Sequence, residues 1–555
     1  MASFVPGQMM EAPLLVSSLL VHAESYHGDT EIVSRTVEGP SADNGGAIRR
    51  GLHRYTYAQA ARRSRQLANA LKRLGVQPGE RVATLAWNGY RHFELYYAVS
   101  GSGAIMHTVN PRLFAEQIAW IVNDARDKVL CFDLSFAPLI EAIASKCPTV
   151  KHWVAMTDRA HLPSQKIPNL ICYEDWVEAE SDQYAWPEFD ERSACTLCYT
   201  SGTTGNPKGV LYSHRSMMLH TLAGAVPDVF GLSARDCILP VVPMFHVNAW
   251  AIPYAAPMVG AKLVFPGAAL DGASLHELFE TEGVTFSAGV PTVWQGLLTH
   301  LQTNKLRLTT LRRCVIGGSA CPPALMQTFE RDYGVKIHHA WGMTEMSPLG
   351  TFNNLKIKHL NLPKEEQFAI ETKQGRPPFG VQLKIVDADG RELPRDGKAF
   401  GDLLVKGHWI VDRYYRLDQT PLQDGWFPTG DVGTLDADGF LQITDRSKDV
   451  IKSGGEWISS IDLENVACAH PAVAQAAAIA AHHPKWDERP LLVVVKKPGQ
   501  EVTRDQILAL FPGKVAKWWI PDDVVFVNEL PMTATGKISK LRLREQLKDY
   551  KLPTV

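Results

Sequence analysis

Residues 199–209 read YTSGTTGNPKG, a run of small and hydroxyl-bearing residues closed by Lys208. Backbone with few Cβ atoms can approach a ligand closely, and its N–H groups and hydroxyls donate to anionic oxygens. With one lysine adding charge, the stretch points to a phosphate. The P-loop template G-x-x-x-x-G-K-[ST] fails when aligned on Lys208: Gly202 is in place, but Pro207 stands at the second glycine and Gly209 at the magnesium-binding hydroxyl. Pro207 has no N–H and biases Asn206 toward extended backbone, whereas a P-loop opens straight into a helix. The flanks ACTLCY and GVLYS are short, apolar and partly β-branched or aromatic. They predict strand, loop, strand, with a helix starting only near Ser213 to Ser216.

Outward from this loop, strand and helix patterns alternate. Thr56 caps the pattern TYAQAARRSRQLANALKRLG, which places Leu67, Leu71 and Leu74 on one face and stops at Gly75, and RVATLAWN (81–88) follows as a strand. The alternation lasts to about residue 345 and predicts layered α/β architecture with largely parallel sheets. Between about 380 and 445, VQLKIVDADGRELP and TLDADGFLQITD each set Asp-Gly between alternating strands, the pattern of hairpins in a small β subdomain. The polar segment DRSKDVIKSGGEWISS (445–460) follows; then Ser459, with Asp462 three residues on, caps a helix ending before Pro471, and strands are expected at 489–496 and 523–527. The expected division is a large N-terminal part, 1–444, a boundary at 445–450, and a small α/β C-terminal part, 451–555.

The 57 Lys plus Arg against 59 Asp plus Glu in 555 residues argue against nucleic acid or an anionic membrane as principal partner. MASFVPGQMMEAPLLVSSLLV has no basic n-region and carries Pro6, Glu11 and Pro13, so it reads as neither signal peptide nor membrane span. Nine scattered cysteines suit a reduced, cytoplasmic setting, and the one close pair, Cys195 and Cys198, lies in the strand entering the loop, where packing is the expected role. Serine hydrolase chemistry would need G-x-S-x-G, which GGSAC breaks at Cys321, and no H-E-x-x-H occurs.

Six further stretches follow YTSGTTGNPKG in order: PMFHVNAW (243–250), GGSA (317–320), HAWGMTE (339–345), WFPTGD (426–431), DRSKDVIKSGGEW (445–457) and PMTATGK (531–537). Together they resemble the adenylate-forming superfamily, from about residue 8 to 548, and most of all its bacterial medium-chain fatty-acid CoA ligases. The resemblance implies ATP, Mg2+ and coenzyme A, a small-molecule carboxylic acid as substrate, a homodimer, and a mobile C-terminal lid. Thr200, Ser201, Gly202, Thr203, Thr204, Gly205 and Lys208 would hold the ATP phosphates. Thr344 and Glu345 would serve phosphate and magnesium, with Thr200 as a second metal contact; a hard cation prefers such oxygen ligands. Gly317, Gly318, Ala340, Trp341 and Gly342 would form the adenine slot, with Trp341 standing where many relatives carry tyrosine or phenylalanine.

By the same resemblance, Asp431 and Arg446 would bind the ribose, and His246 would lie beside the carboxylate. Val247, Trp250, Ser319 and Ala320 would line the acyl site, with Trp250 gating a tunnel. Asp445 would be the hinge about which the lid exchanges Lys537 for the CoA-facing loop Lys452, Ser453, Gly454, Gly455, Glu456 and Trp457. The missing triad agrees with this reading, because in an adenylation the substrate carboxylate itself attacks the α-phosphorus and the protein supplies positioning and charge. Three alternatives stay open: a module loading a carrier protein, although the chain ends soon after Lys537 and holds no Asp-Ser dipeptide; a non-catalytic nucleotide binder, in which Lys537, Glu345 and Asp431 would be expected to erode; and a ligase for long-chain, aryl, branched or sulfur-containing acids.

Overall fold

The computed structural model describes residues 5, 7–38, 51–163, 166–200, 206–446, 449–453, 456–533 and 538–554, with backbone alone at 456 and 457. The expected strand, loop, strand is present: Ala194–Tyr199 runs antiparallel to Gly209–Ser213, with Tyr199 opposite Gly209. The helix His214–Ala225 begins immediately afterward. Ser213 Oγ accepts from Ser216 N at 3.0 Å while Ser216 Oγ accepts from Ser213 N at 3.1 Å, satisfying two end groups reciprocally.

This pair closes one edge of a seven-stranded sheet, ordered Leu170–Cys172, His152–Ala155, Asp127–Phe132, Arg81–Leu85, Ile105–Thr108, Ala194–Tyr199, Gly209–Ser213. Every neighbour pair but the last is parallel. The eight-stranded sheet is ordered Leu349–Phe352, Lys336–Gly342, Arg313–Ile316, Phe286–Gly289, Cys237–Pro240, Lys262–Phe265, Glu31–Arg35, Leu52–Thr56, and is antiparallel only in its two outermost pairs. Parallel strands need covering on both faces. The helix Tyr90–Gly101 is buried at all twelve positions, and its charges are neutralised in place: Glu94 by Arg63 at 2.7 Å and Arg91 by Glu174 at 2.6 Å. Asn88, just beyond the strand Arg81–Leu85, donates to the carbonyls of Pro240 and Val242 at 2.8 and 2.9 Å and accepts from Met244 N at 2.6 Å, tying the first sheet to the loop that leaves the second. Thr56 caps the helix Tyr57–Arg73 as expected, and Gly75 follows with φ +74°.

The strands Val381–Val386, Phe400–Gly407, Phe427–Leu435 and Leu441–Arg446 form an antiparallel meander. The second Asp-Gly turn joins its last two strands as read from sequence; the first does not make a full hairpin. After Gly390 only the single bridge Val386 to Glu392 forms, and Val381–Val386 pairs instead with Phe400–Gly407. Pro394 explains the difference, since it cannot donate to a ladder and stops the return strand. Beyond the meander, a five-stranded sheet containing Ile451–Ser453, Glu456–Ile458, Val473–His483, Asp487–Lys496 and Asp523–Val527 packs on the helix Ser460–Cys468, which Ser459 caps through Asp462 N. The molecule is mixed α/β, with a large N-terminal part and a small C-terminal one. No helix among the described residues is long and apolar enough to cross a membrane.

Candidate active site

Thr200 and Lys208 close the neck of the loop: Thr200 N donates to Lys208 O at 2.9 Å, and Lys208 N to Thr200 Oγ1 at 3.2 Å. Ser201, Gly202, Thr203, Thr204 and Gly205 lie outside the described residues. Lys208 Nζ stands 4.9 Å from the centroid of the Tyr414 ring, and Tyr414 OH donates to Glu345 Oε1 at 2.8 Å. Tyr212, on the strand after the loop, donates to the carbonyl of Thr344 at 2.6 Å, and Val411 N donates to Glu345 O at 2.8 Å. The loop lysine and the Thr344–Glu345 pair, about 140 residues apart in sequence, are therefore one assembly. Burial pushes the Glu345 carboxyl above its ordinary range, with Tyr414 and the more distant Arg446 and Lys208 pulling it back. A buried carboxylate with no ion pair among the described residues suits a cation held by one or two carboxylates and substrate phosphates, the usual magnesium arrangement. Glu345 fits that group.

A second assembly lies at the C-terminal ends of the strands Arg313–Ile316 and Lys336–Gly342, the end at which open α/β sheets bind ligands. Trp341 Nε1 donates to Asp431 Oδ2 at 2.8 Å, and Arg446 Nε lies 2.9 Å from Asp431 Oδ1. Asp431 and Arg446 face each other across the meander's last strand pair, so the sheet register itself joins them. A Cβ at Gly317 would be a tight fit, 3.0 Å from Ala340 O and 3.1 Å from Trp250 Cη2. Gly318 has φ +82°. Gly342 is tighter, with a Cβ landing 1.8 Å from Pro348 O. At both positions the missing side chain lets the chain pack closely on itself, Ala340 and Trp250 against Gly317 and Pro348 against Gly342. Ser319 is exposed and Ala320 half-buried on the loop that continues from Gly318.

PMFHVNAW leaves the strand Cys237–Pro240 and takes an unexpected course. His246 is half-buried, and its N–H donates to Pro243 O at 3.1 Å. From Val247 to Ala251 the backbone is left-handed at five successive non-glycine residues, a conformation costing about 1–2 kcal/mol per residue. Trp250, 9% exposed, rests against Gly317, so the predicted acyl-side tryptophan and the predicted adenine-side glycine touch.

Asp445 is the last residue but one of the strand Leu441–Arg446 and is buried. Its Oδ2 accepts from Ser460 N at 2.7 Å, where the C-terminal part's first helix begins, and Ser459 Oγ donates to Thr444 O at 2.6 Å. Burial raises the Asp445 carboxyl above its ordinary range, against the pull of Lys540. Within the C-terminal sheet, Lys452 N donates to Glu488 Oε2 at 2.7 Å and Ser453 Oγ accepts from Arg489 at 3.2 Å; Ser453 pairs with Glu456 and Lys452 with Trp457. Gly454, Gly455 and Lys537 lie outside the described residues. Sequence reading missed Tyr414, whose DRYYR context looks like any polar loop, and Asn248, whose burial no local pattern announces. Cys195 and Cys198 are free and buried, as expected of strand packing.

The AMP-binding enzyme family matches residues 34–415, and its C-terminal domain matches 462–537. A 3-methylmercaptopropionyl-CoA ligase of Ruegeria lacuscaerulensis is 55% identical over 98% of this chain and 99% of its own, and a medium-chain-fatty-acid CoA ligase of Ectopseudomonas oleovorans is 52% identical over 98% of each. The crystal structure of the anthranilate CoA ligase AuaEII in complex with anthranoyl-AMP superposes with a TM-score of 0.85 at 27% identity, covering 97% of this chain and 98% of that one. The chain belongs to the AMP-binding enzyme family. Within it, the chain is an acyl-CoA ligase, an enzyme class that works with ATP, Mg2+ and CoA.

Proposed function

We propose that the chain activates medium-length acyl carboxylates: carboxylate and ATP give acyl-AMP and pyrophosphate, then the CoA thiol displaces AMP to give acyl-CoA. The observation that carries this reading is the pair of assemblies just described, Lys208 with Tyr414 and Glu345, and Trp341 with Asp431 and Arg446. Thr200 to Gly205 with Lys208 hold the β and γ phosphates. Asp431, accepting from Trp341, takes the ribose hydroxyls with Arg446, and Gly317, Gly318, Ala340 and Gly342 border the adenine. Glu345, with Thr344 and Thr200, holds magnesium, which when bound neutralises phosphate charge. In the first step the carboxylate oxygen forms its bond to the α-phosphorus as the bond to pyrophosphate breaks. Lys537 stabilises the charge gathering there, and His246 borders the carboxylate. In the second step the thiol sulfur attacks the acyl carbonyl, loses its proton, and AMP leaves with the mixed-anhydride oxygen.

Residues 1–444 form the ATP and acyl domain, 445–450 the hinge and 451–555 the lid; Asp445 bonding across the junction to Ser460 supports that division. Swinging about Asp445, the lid brings Lys452, Ser453, Gly454, Gly455, Glu456 and Trp457 to the thiol side. Val247, Trp250, Ser319 and Ala320 line the acyl site. Nine unpaired cysteines, eight of them buried, support a reduced cytoplasmic setting.

A second reading rests on the relatives that are 55% and 53% identical, both 3-methylmercaptopropionyl-CoA ligases: a short sulfur-containing acid as preferred substrate. Each buried methylene contributes about 0.8 kcal/mol, so an apolar tunnel should show kcat/KM rising about fourfold per carbon until it is full. Straight-chain acids from C3 to C14, 3-methylmercaptopropionate and an aryl acid, compared by pyrophosphate release with CoA present, decide between them. The proposed reading expects a maximum between C6 and C12. A 3-methylmercaptopropionate value above every straight-chain acid would transfer the assignment to the second reading.

A further inference from the structure

Between Val247 and Ala251, φ is +42°, +53°, +47°, +57° and +63° in turn. None of the five is glycine, and a β-branched valine and a tryptophan are among the residues least suited to such backbone. Immediately afterward, at Ile252, the chain resumes right-handed helix through Val259. Backbone of this kind persists only where its surroundings over-determine it. All five residues are buried, and one of them, Asn248, carries a polar side chain. Asn248 Nδ2 donates to Thr196 Oγ1 at 3.0 Å, and its Oδ1 accepts from Cys198 Sγ at 3.7 Å and lies 3.3 Å from Tyr96 OH, whose proton goes to Met244 O at 2.5 Å. Tyr96 belongs to the buried helix Tyr90–Gly101, and Thr196 and Cys198 to the strand that enters the phosphate loop. Asparagine also tolerates left-handed backbone better than most residues do. Its amide is thus the polar anchor of the turn, and two residues on, Trp250 presses on Gly317.

We propose that Asn248 is a positioning residue for the acyl pocket: by pinning the left-handed turn to Thr196 and Cys198 it sets where Trp250 stands, and so which acyl chains fit. The inference rests on the reading above that Trp250 faces the acyl chain. Without the amide the turn keeps its unfavourable backbone and loses its bonds. It then rewinds toward the right-handed helix at Ile252, drawing the indole off Gly317.

Five proteins test this: wild type, Asn248→Ala, Trp250→Ala, the double variant of these two, and Asn248→Ala with Ala249→Gly, each compared for acid chain-length profile, acid KM and ATP KM. Asn248→Ala is expected to raise the KM of the preferred acid about tenfold and move the profile, with ATP KM changing by a smaller factor, because the indole lines the acyl site and meets the adenine side only at Gly317. The double variant is expected to show the Trp250→Ala profile unchanged, since Asn248 acts through that ring. Adding Ala249→Gly to Asn248→Ala is expected to restore the profile in part, glycine being at ease at positive φ. Crystals of Asn248→Ala supply a readout independent of turnover: residues 247–251 should leave the left-handed region. An Asn248→Ala crystal that keeps all five positive φ values and the Trp250 contact overturns the proposal, as does an additive double variant. A wild type that activates none of the acids in the panel would overturn the substrate reading instead, and the crystal still decides the role of Asn248.

Discussion

Glu345 shows how one residue's surroundings set its working range. Burial raises its carboxyl above the ordinary value of 4.5, and the Tyr414 hydroxyl bond opposes that rise. A raised value means the group protonates at a higher pH, and a protonated carboxyl does not hold magnesium. The apparent KM for MgATP is therefore expected to climb as pH falls from neutral, before an ordinary carboxylate would have titrated. Tyr414→Phe removes the opposing bond, so the acid limb of the pH profile should move to higher pH; movement to lower pH would contradict the assignment. Glu345→Gln should flatten that limb and cost about 10² to 10³ in kcat/KM, the scale of losing one preorganised electrostatic group. Trp341→Phe keeps a stacking face but loses the 2.8 Å bond to Asp431, and a rise in ATP KM with little change in acid KM is the expected outcome in initial-rate measurements.

At the scale of elements, the strand, loop, strand around Lys208 was legible because Pro207 forbids the alternative, a loop feeding a helix. The caps at Thr56 and Ser459 and the helix start near Ser213 were legible because hydroxyl residues announce helix starts locally. The left-handed turn was not, since VNAWA contains no glycine to mark positive φ and the conformation is imposed by burial against residues 50 to 150 positions away. Tyr414 escaped for the same reason: its bond to Glu345 exists only once the meander has folded against the eight-stranded sheet. The junction at Asp445 carries its own prediction. Asp445→Ala leaves the N–H of Ser460 without its buried acceptor, a loss of about 1–3 kcal/mol that should fall on the docking of the C-terminal part. Hydrogen exchange should speed up in the helix Ser460–Cys468 and remain unchanged in the strand Ala194–Tyr199. Equal acceleration in both would mean that Asp445 supports the whole fold and not the junction.

For the whole molecule, the alternation of elements announced largely parallel sheets, and ordered motifs announced a family; neither could announce acyl-chain length, which depends on a depth that sequence does not encode. The dimer expected from the fatty acyl-CoA synthetases is a property of this scale too, and light scattering at micromolar concentration should give about twice the 61.4 kDa of one chain. A monomer there would remove it. The central claim is that one lid serves two steps in turn, and it is tested most directly by measuring the two half-reactions of Lys537→Ala separately. A lysine near the end of the chain can reach the ATP site only when the C-terminal part folds over it, and it should have been carried away before the thiol attacks. Formation of acyl-AMP from acid and ATP is expected to fall by about 10² to 10³, the cost of losing one charge-stabilising donor, while conversion of supplied acyl-AMP and CoA to acyl-CoA should run near the wild-type rate. Equal loss in both half-reactions, with the fold intact, would contradict the moving lid.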